Sequence, residues 1–161
     1  MARSPDITVA AIAETAGRFL CVEERINHRL VFNQPAGHVE RGESLLEAVV
    51  REVQEETAWR FTPESLLGIY LWRRPRSGRA TLRFAFTGSV SAHDPRQRLD
   101  HGIVRTHWLT VEELRAAAGR LRSPLVLRCI EDYLAGIRGC LAEVAALDLE
   151  SAARAAPTAQ L

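Results

Sequence analysis

The chain of 161 residues contains no lysine; all 21 of its basic residues are arginine. That excludes a phosphate-gripping Walker lysine and a Schiff-base nucleophile. Charge of either sign is not in excess: the formal net charge is +1. Composition therefore gives no electrostatic case for a nucleic-acid or membrane partner. The three cysteines, Cys21, Cys129 and Cys140, form no CxxC pair and no zinc-ligand spacing. They are expected as reduced thiols in a cytoplasmic protein. No run approaches the roughly 20 apolar residues of a membrane span, and Met1 to Asp6 has no leader pattern. Internal repeats are lacking. What remains is a globular composition, 47% hydrophobic and 25% charged, long enough for one domain with its own core.

The pattern predicts a mixed α/β order. Ile7 to Ala13 and Arg18 to Glu24 read as strands around a turn at Glu14 to Gly17. Arg25 to His28 reads as a polar connection, and Asn33 to Gly37 as loop. Ser44 to Thr57 is the strongest helix, opened by a Ser44/Glu47 capping box. Leu45, Leu46, Val49, Val50 and Val53 are its expected buried stripe, and Glu47 stands in pairing order with Arg51. Strands follow at Leu66 to Trp72, Arg79 to Val90 and Ile103 to Leu109. Thr110/Glu113 opens a short helix. Ser123-Pro124 reads as cap and first residue of a final helix, with Leu127, Ile130, Leu134 and Ile137 on its buried side.

Glu52, Glu55 and Glu56 stand at i, i+3 and i+4, which gathers their carboxylates on one helix face. Such a cluster repels itself. It is either an ordinary solvated acidic face or a seat for a hard divalent cation, since Mg²⁺ prefers oxygen ligands. Glu43 precedes the helix and Arg51 lies within it, so an arginine is at hand to orient a carboxylate. The loop at Ala36-Gly37 offers a backbone carbonyl to the same place.

The run Gly37, five residues, Glu43, seven residues, then Arg51-Glu52-Val53-Gln54-Glu55-Glu56-Thr57-Ala58-Trp59 resembles the Nudix box over its 23 residues. Only the late glycine departs, being Ala58. If Ala58 ends the helix in the left-handed region, it costs about 1–2 kcal/mol there. Asn33 to His38, Thr81 to Phe84 and Leu121 to Val126 are similar to the NudJ branch of bacterial phosphatases. The resemblance implies an α/β/α sandwich around a mixed sheet, with a hydrolase domain over 1–140 and an alanine-rich helix or tail over 141–161.

By the same resemblance, the chain hydrolyses phosphoanhydrides by water attack with Mg²⁺ or Mn²⁺. Glu52, Glu55 and Glu56 are the implied metal ligands, with the Ala36 carbonyl and, more weakly, Glu43. Arg51 orients a carboxylate. Asp100 is the candidate general base, with Asp94, His93 and His101 beside it in the loop. Arg83, Asn33, Gln34 and Trp72 are the candidate substrate contacts, chosen over Arg74, Arg76 and Arg79 of the basic turn. Trp108 reads as core, and Arg122-Ser123 as a cap or a phosphate-facing helix start. The implied partner is a small phosphorylated molecule, either a nucleoside tri- or diphosphate or a thiamine-related pyrophosphate. The protein is expected as monomer or homodimer. Other Nudix specificities are the alternatives: oxidised nucleotides, ADP-ribose or dinucleoside polyphosphates. A non-catalytic nucleotide sensor is opposed by the intact glutamates.

Overall fold

The computed structural model describes residues 4–75 and 77–144. Arg76 and the tail from residue 145 onward lie outside them. Among the described residues there are eight strands: β1 (Asp6–Ile12), β2 (Glu14–Thr15), β3 (Arg18–Ile26), β4 (Arg29–Asn33), β5 (Ala36–His38), β6 (Arg60–Arg73), β7 (Ala80–Ser91) and β8 (Ile103–Leu109). The helices are α1 (Leu45–Thr57), α2 (Val111–Ala116) and α3 (Leu125–Leu134).

One sheet runs in the order β5-β1-β7-β6 and is mixed, because β1 pairs parallel with β7 and the other pairs are antiparallel. The second sheet is built around β3, which pairs antiparallel with β2, β4 and β8. Alternation along β1 divides the interior. Val9 and Ala11 pack with Val49 and Val53 of α1, whereas Ile12 packs with Leu114 of α2 and Val126 and Ile130 of α3. The strands thus form the filling between α1 on one side and α2 and α3 on the other, which is the expected α/β/α sandwich. Leu141 and Val144, at the start of the stretch read as tail, pack against the α1-side core.

Several local expectations are corrected. Ile26 still belongs to β3, and the connection to β4 is a two-residue turn with positive φ at Asn27 (47°) and His28 (64°), the backbone twist that a tight hairpin needs. Ala36 to His38 is strand β5, not loop, because β1 offers it an edge: Ala10 pairs with Ala36 and Thr8 with His38. In α1 the buried positions are Ala48, Val49, Glu52, Val53 and Thr57, and Val50 is 37% exposed. Glu47 is spent on the Ser44 capping box and does not reach Arg51. Leu125, Val126, Cys129 and Ile130 form the buried face of α3, while Leu134 and Ile137 are exposed. Ser123 does not cap α3 with its side chain; its Oγ is buried without a partner. β6 starts at Arg60 and absorbs two irregularities in its pairing with β7.

Ala58 does end α1 in the left-handed region, at φ 60° and ψ 16°, with its N–H donating to Gln54 O. It is 1% exposed. A small residue is therefore required, and the methyl group carries the backbone cost that glycine avoids.

Candidate active site

α1 and β5 meet at Gly37. A Cβ built on Gly37 would overlap the Glu52 carboxylate, so only glycine lets this acid lie against the strand. Next to it, Ala36 N–H donates to Glu56 Oε2 at 2.9 Å. The box thus joins two elements: its glycine supplies the gap and its helix supplies the acid that fills it.

Arg51 commits its whole guanidinium to this corner. Nε and Nη2 donate to Glu43 at 3.0 and 2.7 Å, Nη1 to Glu52 at 2.8 Å and Glu55 at 3.1 Å, and Nη2 also to His38 O at 3.0 Å. Those bonds use all of the donors that an arginine has. Arg51 therefore orients carboxylates and has no N–H left for a substrate phosphate. Its bond with Glu43 holds that carboxyl below the usual range, aided by the Glu40 N–H. Glu43 is the anchor of the arginine.

Glu52, Glu55, Glu56 and Asp100 line one cavity of about 420 Å³, together with Ala36 and Gly37. Burial pushes Glu56 up to about 9, with the charges of Glu52, Glu24 and Asp100 adding to the rise. Glu52 is raised by burial too, against the pull of Arg51. Side-chain burial leaves Glu55 the most accessible of the three Arg51-bonded acids at 42% exposed. Among the described residues, no three His, Cys, Asp or Glu side chains already stand together as a metal-ligand set. The donors nonetheless suit a hard cation. They are all oxygen, they are anionic beyond what Arg51 neutralises, and a positive charge would relieve the strain on Glu56.

Asp100 reaches the site because its N–H donates to Glu55 O at 3.0 Å, tying its loop to α1. Asp94 is held elsewhere, donating its N–H to Ala58 O and pairing with Arg96. His93 stacks on Trp59 at 4.7 Å, and Trp108 meets Trp59 edge to face. Trp108 is thus packed against the core, as expected.

The expected substrate contacts divide. Asn33, Arg83 and Trp72 line the cavity. Gln34 does not: it is 1% exposed, its Nε2 donates to Val126 O at 2.7 Å, and its Oε1 accepts from Arg83 Nη1 at 3.3 Å. Gln34 braces Arg83 against α3. Arg122 lies in the lining and faces Glu24 at 3.6 Å. Sequence reasoning missed Glu24 and Thr8 altogether. A glutamate near the polar end of a strand and a threonine in an apolar one carry no signal until the fold turns both toward one space.

A family model described as NUDIX domain matches residues 3–128. Phosphatase NudJ of Escherichia coli (strain K12) is 40% identical over 134 residues, covering 83% of this chain and 86% of that protein. Among solved structures, a NUDIX hydrolase from Nitrosomonas europaea superposes with a TM-score of 0.87 at 46% identity, covering 89% of this chain and 98% of the other. A MutT protein from Methanosarcina mazei Go1 shares the fold at 24% identity, with a TM-score of 0.64 over 84% of this chain and 99% of that one.

Proposed function

The chain belongs to the Nudix hydrolase family, and from that premise we propose that it is a cytoplasmic NudJ-like phosphatase using Mg²⁺ or Mn²⁺. Its substrates are nucleoside tri- and diphosphates and thiamine-related pyrophosphates. The observation that carries the reading is the Glu52 carboxylate seated in the gap left by Gly37, with Glu55, Glu56 and Asp100 facing the same cavity.

Glu52, Glu55, Glu56 and the Ala36 carbonyl would hold the cation, with Glu43 acting through Arg51. When bound, the cation neutralises phosphate charge and lowers the cost of ionising water. The residues do the positioning. Arg51 fixes Glu52 and Glu55. The Ala36 N–H fixes Glu56. Water attacks phosphorus, a new P–O bond forms, and the bridging P–O bond breaks with its electron pair leaving on the bridging oxygen. Asp100, exposed at the cavity rim, takes the proton of the attacking water. Buried free thiols at Cys21 and Cys129 fit a reducing compartment. No helix among the described residues is long and apolar enough to cross a membrane.

The test is phosphate release with Mg²⁺ or Mn²⁺ across nucleoside tri- and diphosphates, hydroxymethylpyrimidine pyrophosphate, thiamine pyrophosphate and ADP-ribose. A duplicate coupled to pyrophosphatase separates the products. Direct orthophosphate release that Glu55→Gln abolishes supports the reading. Pyrophosphate or nucleoside monophosphate as first product assigns another Nudix specificity. Near wild-type turnover by Asp100→Asn at saturating metal removes Asp100 as the base.

A further inference from the structure

Among the described residues, five buried side-chain nitrogen or oxygen atoms have no hydrogen-bond partner: Thr8 Oγ1, Glu24 Oε1, Asn33 Oδ1, Arg83 Nε and Ser123 Oγ. All five belong to residues that line the glutamate cavity. Four of those residues are more than nine-tenths buried: Thr8 at 8%, Asn33 at 6%, Arg83 at 6% and Ser123 at 7% exposed. The Glu24 side chain is 14% exposed. Burying a polar atom without a partner destabilises the fold, and such atoms are normally rare and scattered. Five around one cavity are a receptor for hydrogen bonds.

Thr8 and Arg83 are set off from the glutamate corner along the first sheet, while Glu24 and Asn33 reach the cavity from β3 and β4 of the second. Gly37 and Ala36 are on β5, Thr8 is on β1, and Thr8 pairs with Arg83 on β7. Trp72 on β6 pairs with Thr81 of β7, a strand further on. Strands lie about 4.8 Å apart, so the cavity spans about 14 Å from glutamate corner to tryptophan. That length suits phosphates at one end and a ring at the other.

The hydrogen-bonding pattern says what the ring is. Glu24 is an acceptor whose charge is already faced by Arg122 at 3.6 Å, beyond hydrogen-bond range, and an ionised phosphate has no N–H to give it. Arg83 keeps Nε as a free donor, while Gln34 holds its Nη1. We propose that Glu24 and Arg83, with Asn33 and Ser123 beside them, form a specificity subsite for a neutral heterocycle that presents an N–H donor next to a ring-nitrogen acceptor. Cytosine carries that edge at its 4-amino group and N3. Uracil carries the inverse, a carbonyl beside an N–H. Glu24 is thus a specificity-determining residue for the leaving group, and Arg83 serves as a contact to its ring. The inference rests on the cavity holding a pyrophosphate-bearing substrate.

The test compares kcat/KM for CTP and UTP in Mg²⁺, alongside calorimetric affinities for α,β-methylene CDP and UDP. Wild type should favour the cytidine compounds about 10- to 100-fold in both. Glu24→Gln, whose amide can turn either face to the ring, should bring the ratio to within about threefold of unity or reverse it. Glu24→Asp should keep the preference. Equal affinities in wild type, or an equal loss for both nucleotides in Glu24→Gln, would overturn the subsite. Absence of turnover with a retained cytidine preference in binding would count against the phosphatase reading and leave the subsite standing. Turnover without preference does the reverse, and no binding of either analogue removes both.

Discussion

Two acidic residues turned in from the surface meet opposite fates. Glu23 of β3 is 3% exposed and has two arginines and a histidine as neighbours: Arg105 at 2.8 Å, Arg120 at 2.7 Å and His107 at 3.3 Å. The Arg105 bond leads in holding its carboxyl below the usual range. Glu56 of α1 has one backbone N–H and three acidic neighbours, and is pushed up to about 9. A satisfied carboxylate belongs to the scaffold, joining β3, β8 and the turn before α3. A frustrated one marks the place where the protein expects charge from outside.

The comparison breaks first at Gly37. Gly37→Ala forces the Glu52 carboxylate out of its seat, so turnover should fall about 10²-fold, with the fold intact by circular dichroism. Undiminished kcat/KM would show that the seat is not needed. Glu23→Gln should do the opposite, costing about 1–3 kcal/mol in urea unfolding and leaving turnover per folded molecule unchanged. A loss of kcat without loss of stability would place Glu23 in the site.

The pH dependence sharpens the contrast because the signs differ. Glu23, depressed in the fold, contributes stability that is present above its ordinary value of 4.5 and is lost as pH falls through its lower folded value. Glu56, raised, contributes stability that is full below 4.5 and is lost as pH rises through about 9. A cation that needs Glu56 ionised must displace its proton below that pH. Mg²⁺ should therefore raise the melting temperature more at pH 9 than at pH 6, with affinity falling up to about tenfold per unit in between. A pH-independent shift would remove Glu56 from the ligand set. The smallest effect is expected from Ala58→Gly, which relieves the left-handed cap and should add about 0.5–1 kcal/mol. An unchanged melting temperature would show that the cap is not strained.

The legible parts of the molecule were those whose cause is local. Capping boxes at Ser44 and Thr110 act over three residues, and both are present as expected. The gathering of Glu52, Glu55 and Glu56 follows from helical spacing, and the left-handed Ala58 from one substituted glycine. The same locality misled at α3, where Ser123-Pro124 has the form of a cap but the Ser123 hydroxyl caps nothing and Ser123 lines the cavity. It misled at Ala36 to His38 too, since a strand of three residues exists only because β1 lies beside it. Gln34 looked like a substrate contact and is a brace, because its partners are 49 and 92 residues away.

By itself the sequence determined the chemistry of the glutamate corner: the spacing that collects three acids and the arginine among them. Only the tertiary structure decided what Arg51 spends its donors on, why position 37 must be glycine, why Asp100 reaches the cavity and Asp94 does not, and which residues line it. The reason is physical. Spacing fixes neighbours along one helix, whereas Thr8, Glu24, Asn33, Arg83 and Ser123 share a cavity through strand pairing and packing across the whole chain, and no period in the sequence records that meeting.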